Sequence, residues 1–301
     1  MTLEQLRIFV AVAEHLHVTR AAQALRLTQS AASAAIQALE ARHATKLFHR
    51  VGRGIALTDA GTAFLPEARA VLARADRAER ALDDLSGLRR GSLALHASQT
   101  IANYWMPPLM HRFRTAHPGL QLDMTIGNTS QVAEAVMEGR ADLGFVEGDL
   151  DLAGFEHSSV PGDRLVLVVG TGHLWAQDQM IAPGRFTESA WVLRERGSGT
   201  RQVFEAALER LGVDPGQLTV ALELSSNEAV RAAVEAGAGA GVLSSLAVSS
   251  GLRFGTLHRL DPPFPARRFR VLRHPDHYRS RAVEAFLEMV GPVAHTNGLK
   301  E

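Results

Sequence analysis

Two short segments combine side chains and backbone groups that bind small anions. Ser98-Gln99-Thr100 closes the strand-like run GSLALHAS, and Gly197-Ser198-Gly199-Thr200-Arg201 closes the run AWVLRERG. At each place a predicted strand ends and a predicted helix begins, so hydroxyls, free backbone N–H groups and the positive end of a helix dipole coincide. Ligands of open α/β sheets bind at such carboxyl ends of strands. The two segments predict a site for a small carboxylate or an inorganic oxyanion.

The same residues also fit a purely structural interpretation. Ser98, Thr100, Ser198 and Thr200 could only cap their helices, since serine and threonine are common N-caps. Arg201 could be a solvated surface charge. Glu147, in the strand-like run DLGFVEG, is a further candidate contact, but its carboxylate would oppose an anion and it could instead be a hinge residue.

A third polar segment, TQSAASAAIQALE at residues 28–40, lies near the N-terminus. Ile36 and Leu39 have helical spacing, but the other side chains are too small for an ordinary core helix and too uncharged for an ordinary surface helix. A helix that enters the major groove of DNA has these properties, because its outer face must not be bulky. An Ala-rich helix in an ordinary bundle is the alternative.

The flanking elements favour the DNA interpretation. A helical stripe covers residues 3–16, a short helix RAAQALR follows with Thr19 as its predicted cap, and LTQ marks a break. After the polar helix, KLFHRVGRGIALT predicts a hairpin with a basic turn. This order is that of a winged helix-turn-helix. The predicted DNA contacts, to base edges or phosphates, are Thr28, Gln29, Ser30, Ser33, Arg50 and Arg53.

Residues 59–88 predict a long helix that joins the head to the rest of the chain. Pro66 should kink this helix or mark a late start. Apolar residues at alternating spacings of four and three form a heptad seam typical of dimerising helices. The seam comprises Phe64, Ala68, Val71, Ala75, Ala78, Leu82 and Leu85. Packing of one helix on its own domain is the alternative.

The remaining residues, 91–301, alternate between strand-like and helical runs, which predicts an α/β domain with largely parallel strands. Roughly 210 residues is large for a single sheet, and two similar lobes fit this length better. The fold class is therefore multidomain α/β: an N-terminal winged helix-turn-helix at residues 1–58, a linker helix, and a C-terminal ligand-binding domain.

Composition narrows the function classes. The head, residues 1–58, carries seven basic and three acidic side chains, which leaves 25 basic and 29 acidic ones for the rest of the chain. A basic head on an acidic body favours a nucleic-acid partner. The absence of cysteine excludes disulfides, thiolate metal sites and a cysteine nucleophile. The N-terminus lacks the features of a signal peptide, and no apolar run reaches the length of about 20 residues that a membrane span needs, so we expect a cytoplasmic protein without a membrane partner.

At this point the chain resembles the LysR-type transcriptional regulators over nearly its whole length. The resemblance rests on LRIFVAVAEHLHVTRAAQALRLTQSAASAAIQALEARHATKLFHRVGRGIALTDAG and on FRTAHPGLQLDMTIGNTSQVAEAVMEGRADLGFVEG. It implies two lobes joined by two crossover strands, as in periplasmic binding proteins, with a small-molecule cleft between them. We expect crossovers near residues 160–164 and 264–268. Lobe 1 would comprise residues 91–162 and 267–294, and lobe 2 residues 163–266.

The resemblance also implies partners and contact residues. Ser98–Thr100, Thr129 and Ser198–Arg201 match positions that bind the effector in this family. Double-stranded promoter DNA, a small effector and further copies of the chain, as a dimer or tetramer, are the implied partners, and RNA polymerase is left open as another. The head and the FVEG strand end look most like regulators of sulfur assimilation and carbon fixation, which puts sulfate, sulfite or a phosphorylated metabolite ahead of aromatic acids.

One departure from the family pattern affects base recognition. The family often has a basic or larger polar residue after the serine that corresponds to Ser33, but here Ala34 and Ala35 follow. Direct base reading at those two positions is therefore in doubt. DNA shape and alanine contacts to thymine methyl groups would then contribute more to specificity.

Motifs for catalysis and cofactors are weak by comparison. AGAGAGV and GRGIALTDAG lack the Lys-Ser/Thr ending of a phosphate loop, and neither a nucleophile elbow nor a zinc-protease motif occurs. His274 and His277 could bind a metal, but a loop is the simpler interpretation. We therefore expect no catalytic residues, metal or cofactor. The rival hypothesis is a cytoplasmic solute-binding or enzymatic α/β protein whose N-terminal helices only dimerise.

Overall fold

The computed structural model describes residues 1–52, 54–84, 91–148, 150–261, 264, 266–291 and 294–295. The chain divides into two compact units, residues 1–85 with 138–140, and residues 86–137 with 141–301. Arg53 and Leu85, which were assigned to the predicted wing and heptad seam, lie outside the described residues. No helix within the described ranges is long and apolar enough to cross a membrane.

The N-terminal unit is a helix-turn-helix followed by a two-stranded wing. Its elements are α1 (Leu3–His15), α2 (Val18–Ala24), α3 (Gln29–His43), β1 (Phe48–Val51), β2 (Gly54–Leu57) and α4 (Asp59–Asp84). Thr2 and Gln5 form a capping box that starts α1, and Thr28 caps α3. The prediction that Thr19 caps the second helix is wrong. His17 accepts from the backbone N–H of Arg20, and the helix begins one residue earlier than Thr19.

The long helix α4 passes through Pro66 without interruption, so the proline does not delay its start. Ala68 is fully buried, and the Phe64 ring lies 5.1 Å from that of Phe9, so the first half of the heptad seam packs on the head. Val71 and Leu82 are exposed further along the same helix. The seam therefore divides into a part that packs on its own unit and a part that is free to contact another chain.

The C-terminal unit contains the remaining strands and helices. Its strands are β3 (Gly91–Ser98), β4 (Leu120–Gly127), β5 (Leu143–Val146), β6 (Glu156–Gly170), β7 (Ala190–Arg194), β8 (Thr219–Leu224), β9 (Ala240–Ser244), β10 (Leu257–Leu260), β11 (Ala266–Arg273) and β12 (Ala294–His295). Its helices are α5 (Met106–Ala116), α6 (Thr129–Met137), α7 (Gly199–Arg210), α8 (Asn227–Glu235), α9 (Ser245–Phe254) and α10 (Arg281–Val290). A π-helical turn, Ile101–Trp105, leads into α5.

Two long-range strands connect the lobes of this unit. β6 pairs with β11 up to Arg164, and from Leu165 onward it pairs with β9. On one side of this switch β3 pairs in parallel with β4 and β5, and on the other β7 pairs in parallel with β8 and β9. The expectation of largely parallel strands holds only inside each lobe, because β6 and β11 run antiparallel to all their partners.

Each lobe buries its own aromatic core, which gives it a rigid frame for the strand ends. In the first lobe Phe286 packs edge-to-face on Phe113 and Phe145, with centroid distances of 5.1 and 6.0 Å. In the second, Trp191 packs on Phe204 at 5.1 Å and on Phe186 at 5.7 Å. The carboxyl ends of the parallel strands, with the helices that follow them, are held by these cores.

Candidate functional site

Helix α3 presents a small polar face to solvent. Gln29 and Ser30 are exposed, and Gln29 Nε2 donates to Ser33 Oγ at 2.8 Å, so one helix face carries an ordered amide–hydroxyl pair. The Thr28 hydroxyl accepts from the backbone N–H of Ala31 at 3.2 Å and lies 3.1 Å from Ser30 Oγ. Gln37, four residues beyond Ser33, is exposed on the same face. Gln37 is not among the predicted DNA contacts, although its spacing of four from Ser33 is the signal for a shared helix face.

The inner face of α3 holds the helix on the head. Ile36 and Leu39 are buried in its core, as their spacing predicted. Ala35 packs against that core while Ala34 is exposed. Of the two alanines that follow Ser33, only Ala34 can therefore contact a groove floor.

The wing places Arg50 beside the start of α2. Arg50 is exposed on β1, and with His17 and Thr19 it lines a surface depression of about 440 Å³. A helix N-terminus next to a guanidinium suits a phosphate group. Arg53, the other predicted contact of the wing, is outside the described residues.

Glu40 joins the end of α3 to the wing. It is buried, and its carboxylate accepts from Lys46 Nζ at 2.6 Å and from the backbone N–H groups of Leu47 and Phe48 at 2.9 and 3.3 Å. Burial alone would raise the pKa of this carboxyl, but the hydrogen bonds from Lys46 and the two backbone groups outweigh burial and hold the pKa below its usual value. The ionised Glu40 side chain thus joins the start of the wing to α3.

In the C-terminal unit, three of the predicted ligand residues, Ser98, Thr129 and Thr200, contact Glu147. Ser98, Thr129, Glu147, Ser198 and Thr200 are each at most 2% exposed. The carboxylate of Glu147, beyond the end of β5, accepts a short hydrogen bond from Ser98 Oγ and a long one, at 3.5 Å, from Thr200 Oγ1. Thr129 Oγ1 donates to the backbone carbonyl of Glu147 at 2.8 Å. A negative group therefore already occupies the hydroxyl donors predicted for an anion.

The capping interpretation does not describe these hydroxyls. Thr100 at the π-helical turn and Ser198 at α7 stand at N-cap positions, but neither side chain makes a capping hydrogen bond. Ser98 and Thr200 use their hydroxyls on Glu147 instead. Helix α7 approaches β5 so closely that a Cβ on Gly199 would lie 1.9 Å from the Glu147 carbonyl oxygen. Only glycine fits at this contact.

Two arginines that the sequence analysis missed stand behind the threonines. Arg267, at the start of β11, forms a buried bidentate ion pair with Asp163 and donates from Nη1 to Thr200 Oγ1 at 3.2 Å. Arg194, at the end of β7, donates to Asn227 Oδ1, and Asn227 Nδ2 donates to Thr100 Oγ1 at 3.2 Å. Arg194 also forms an ion pair with Glu195. Burial would raise the pKa of the Glu195 carboxyl, but the hydrogen bond from Arg194 outweighs burial and lowers that pKa.

Two predicted contacts lie apart from this cluster. The guanidinium of Arg201 donates to Glu205 and Glu223, away from the hydroxyl groups near Glu147. Arg267 is the arginine that contacts the Thr200 hydroxyl. Gln99 spans the lobes: its Nε2 donates to the Ser225 carbonyl at 2.6 Å and its Oε1 accepts from the Asn227 backbone N–H at 3.0 Å. The donor set around Glu147 can bind acceptor oxygens, provided that the lobes separate enough to admit a ligand.

In the described part of the chain, no group of three His, Asp or Glu side chains is placed to hold a metal ion. The rings of His274 and His277 stack in parallel at 3.7 Å.

These features define a class of protein: a winged helix-turn-helix head for DNA, and a two-lobed α/β domain with a buried polar site. Residues 3–62 match the family "Bacterial regulatory helix-turn-helix protein, lysR family", and residues 86–294 match the family "LysR substrate binding domain". The chain belongs to the LysR family of transcriptional regulators, which are DNA-binding regulators with an effector-binding domain and not enzymes.

Individual relatives agree with this assignment. The chain is 32% identical over 295 residues to an uncharacterized HTH-type transcriptional regulator, YeiE, of Escherichia coli (strain K12), covering 97% of this chain and 98% of that one. It is 34% identical over 291 residues to the HTH-type transcriptional regulator CbbR of Rhodospirillum rubrum, covering 95% of each. The fold matches that of full-length CbnR complexed with its target DNA, with a TM-score of 0.70 at 22% identity over 96% of this chain and 99% of that one.

Proposed function

We propose that this regulator responds to a small oxyanion or carboxylate that binds between the two lobes. The observation that carries the proposal is the position of the Glu147 carboxylate, which is held by Ser98 and Thr200 in a buried site. A carboxylate and an oxyanion need the same hydroxyl donors, so the site is built for acceptor oxygens. The proposed effector contacts are Ser98, Thr100, Thr129, Ser198 and Thr200.

Glu147 and the effector compete for these donors. Because like charges repel in a buried site, an entering anion must displace the carboxylate or separate the lobes that hold it. Gln99 bridges the lobes and would be disturbed by that separation, whereas Arg201 is engaged by two carboxylates and remains a structural residue. The effector thereby shifts the population between lobe arrangements.

The regulatory output runs through oligomers. Residues 1–58 form the DNA-binding head, residues 59–88 the dimerising helix and residues 91–301 the effector domain, with lobe 1 at about 91–162 and 267–294 and lobe 2 at 163–266. The exposed residues Val71 and Leu82 support self-association through α4. A change in the lobes would alter the spacing of the heads in a dimer or tetramer and the bend of the promoter. RNA polymerase is a proposed further partner, and the cytoplasm is the proposed location.

DNA contact is assigned to the exposed face of α3 and to the wing. Gln29, Ser30 and Ser33 would reach base edges or phosphates, Thr28 would act at the helix start, and Arg50 and Arg53 would contact phosphates. Because phosphate contacts release counterions, we expect steep salt dependence of binding. The rival hypothesis is a solute-binding or enzymatic protein whose N-terminal helices only dimerise. It predicts no salt-sensitive binding of duplex DNA by residues 1–88.

The test combines two measurements on the full chain. A thermal-shift screen against sulfate, sulfite, phosphate and small carboxylates should raise the unfolding midpoint with at least one anion, because a ligand of the folded state stabilises it by mass action. Thr100→Ala and Thr200→Ala should each weaken that shift and leave promoter affinity, measured by fluorescence anisotropy, near the wild-type value. Equal loss of promoter binding in both variants would contradict the separation of the two sites.

A further inference from the structure

We infer that Arg194 and Arg267 bias the site toward ligands with acceptor oxygens, because they commit a lone pair of Thr100 and of Thr200 and so direct both hydroxyl protons to other acceptors. The inference rests on the proposed function and adds the residues that select its ligand class. A threonine hydroxyl has one proton and two lone pairs, so it can serve either a donor or an acceptor on a ligand. The two arginines, one directly and one through Asn227, each commit one lone pair of a threonine oxygen, so the hydroxyl proton is left for another acceptor.

The direction of the Thr200 hydroxyl follows from Arg267. An arginine side chain has five N–H donors and no acceptor, so the 3.2 Å contact uses a lone pair of Thr200 Oγ1. The only proton of that hydroxyl is thereby free for another acceptor, and Glu147 Oε1 lies 3.5 Å away. The bidentate pair with Asp163 fixes the plane of the guanidinium, and Ser244 Oγ donates to the same carboxylate.

The direction of the Thr100 hydroxyl follows from Arg194 through one amide. Because Arg194 can only donate, it must face the carbonyl oxygen of Asn227. The amide nitrogen of Asn227 then faces Thr100 Oγ1 at 3.2 Å and donates to it. Thr100 accepts this bond, so its own proton points elsewhere. The donor-only guanidinium of Arg194 thereby fixes the orientation of the Asn227 amide.

The consequence is a site whose donors need acceptors. Thr100 is fully buried, and among the residues that the structure describes no acceptor takes its hydroxyl proton. A buried donor without a partner costs free energy, and a ligand oxygen would remove that cost. Sulfate or a carboxylate offers only acceptors. An ammonium ion offers only donors and would face the protons of Thr100 and Thr200.

Asn227→Asp is the variant that reverses one hydrogen bond and changes little else. Aspartate has the shape of asparagine, keeps an oxygen for Arg194, and places an acceptor where the amide nitrogen was. The Thr100 proton would then be taken by Asp, and only lone pairs would face the ligand. Isothermal titration of the full chain with sulfate should show an affinity about 10-fold to 100-fold below wild type, the range expected for loss of a charge-assisted hydrogen bond.

A double-mutant cycle separates this reversal from simple charge repulsion. Thr100→Val should weaken sulfate binding about 10-fold in the wild-type background and less than about 2-fold in the Asn227→Asp background, since the hydroxyl no longer donates there. Thr100→Ser keeps the hydroxyl and should retain near wild-type affinity. The same factor for Thr100→Val in both backgrounds would overturn the inference.

A second measurement needs no variant and covers the case in which Asn227→Asp fails to fold. Wild-type protein is titrated with sulfate and with ethylammonium, and the inference requires binding of sulfate and no binding of ethylammonium. Binding of ethylammonium alone would show that Glu147 recognises a cation and would overturn the inference. Sulfate binding with an additive cycle overturns the role of the arginines alone, whereas no anion binding at all overturns the proposed effector class as well.

Discussion

Replacing Glu147 by glutamine tests whether its carboxylate acts as an internal competitor of the effector. In the wild type, the carboxylate accepts from Ser98 and Thr200, and none of the ion pairs among the described residues neutralises it. Glutamine has nearly the same shape but no charge. We expect Glu147→Gln to bind sulfate, or the anion identified by thermal shift, more tightly than wild type.

The magnitude follows from the two hydrogen bonds. A bond to a charged acceptor contributes about 2 kcal/mol and a bond to a neutral one about 1 kcal/mol. In Glu147→Gln the two bonds from Ser98 and Thr200 weaken by about 2 kcal/mol in total. The dissociation constant of the variant for the anion should therefore be roughly 30-fold lower than that of the wild type. The long contact of 3.5 Å to Thr200 makes this value an upper limit.

Isothermal titration of wild type, Glu147→Gln and Glu205→Gln provides the measurement. Glu205 pairs with Arg201 on α7, away from the cluster, so its substitution controls for the loss of one negative charge. Unchanged or weaker anion affinity in Glu147→Gln would refute competition, and Glu147 would then be a structural residue at the contact between β5 and α7.

Three further predictions follow from particular contacts. Gly199→Ala should destabilise the C-terminal unit by about 1 to 3 kcal/mol, because its Cβ would lie 1.9 Å from the Glu147 carbonyl oxygen and 2.5 Å from Thr129 Oγ1; Gly184→Ala, with nothing within 4 Å, is the matched control in thermal unfolding. Glu40→Gln should destabilise the head by about 1 to 3 kcal/mol at neutral pH. Since the pKa of Glu40 is lowered in the folded state, its stabilisation is present above the pKa of an unfolded glutamate and disappears as the pH falls through the folded value. The difference between wild type and variant in chemical denaturation should therefore shrink on acidification, and a constant difference would contradict this assignment. Arg50→Gln should reduce the slope of log affinity against log salt by about 1 in anisotropy titrations, whereas an unchanged slope would mean that Arg50 does not contact a phosphate.

The head could be predicted from its sequence because its signals are local. Ile36 and Leu39 show their helical spacing within a few residues, and Gly52 lies between two short strands, the second of which begins at Gly54. Threonine is a common N-cap, so the sequence favours Thr19 as the cap of α2, but the ring nitrogen of His17 serves instead. Local competition between two acceptable caps is decided by backbone geometry that the sequence does not display.

In the C-terminal unit, local sequence patterns do not predict helix α9 or the direction in which the long strands pair. Helix α9 begins at Ser245 and contains two further serines and a glycine, so its own sequence carries only a weak helical signal. Its buried face, Ala247, Val248 and Gly251, packs against the sheet and overrides the weak propensity. The direction of strand pairing is equally hidden in the sequence, because β6 and β11 pair with each other across more than a hundred residues.

The residues of the buried site likewise fall into those that local sequence patterns predict and those that only the fold brings together. Ser98, Thr100, Ser198 and Thr200 stand at junctions of a strand and a helix, and the sequence shows such junctions directly. Arg267 meets Asp163 from 104 residues away, and Asn227 meets Thr100 from 127 residues away. No periodicity connects these positions, and an isolated arginine in a strand is indistinguishable from a surface charge until the partner strand is known.

The origin of those distant residues bears on regulation. Asp163 and Arg267 lie on β6 and β11 close to the point at which β6 changes partners, while Thr200 belongs to α7. A ligand that draws on the Thr200 proton therefore acts on a hydroxyl already bound to the strands that join the lobes. Because the ion pair is buried and bidentate, a shift of Thr200 must be accommodated by the strands and not by a loose side chain. Ligand recognition and lobe geometry thus share Arg267, and a change of effector affinity by substitution at Asp163 or Arg267 should be accompanied by a change in promoter affinity, unlike the changes at Thr100.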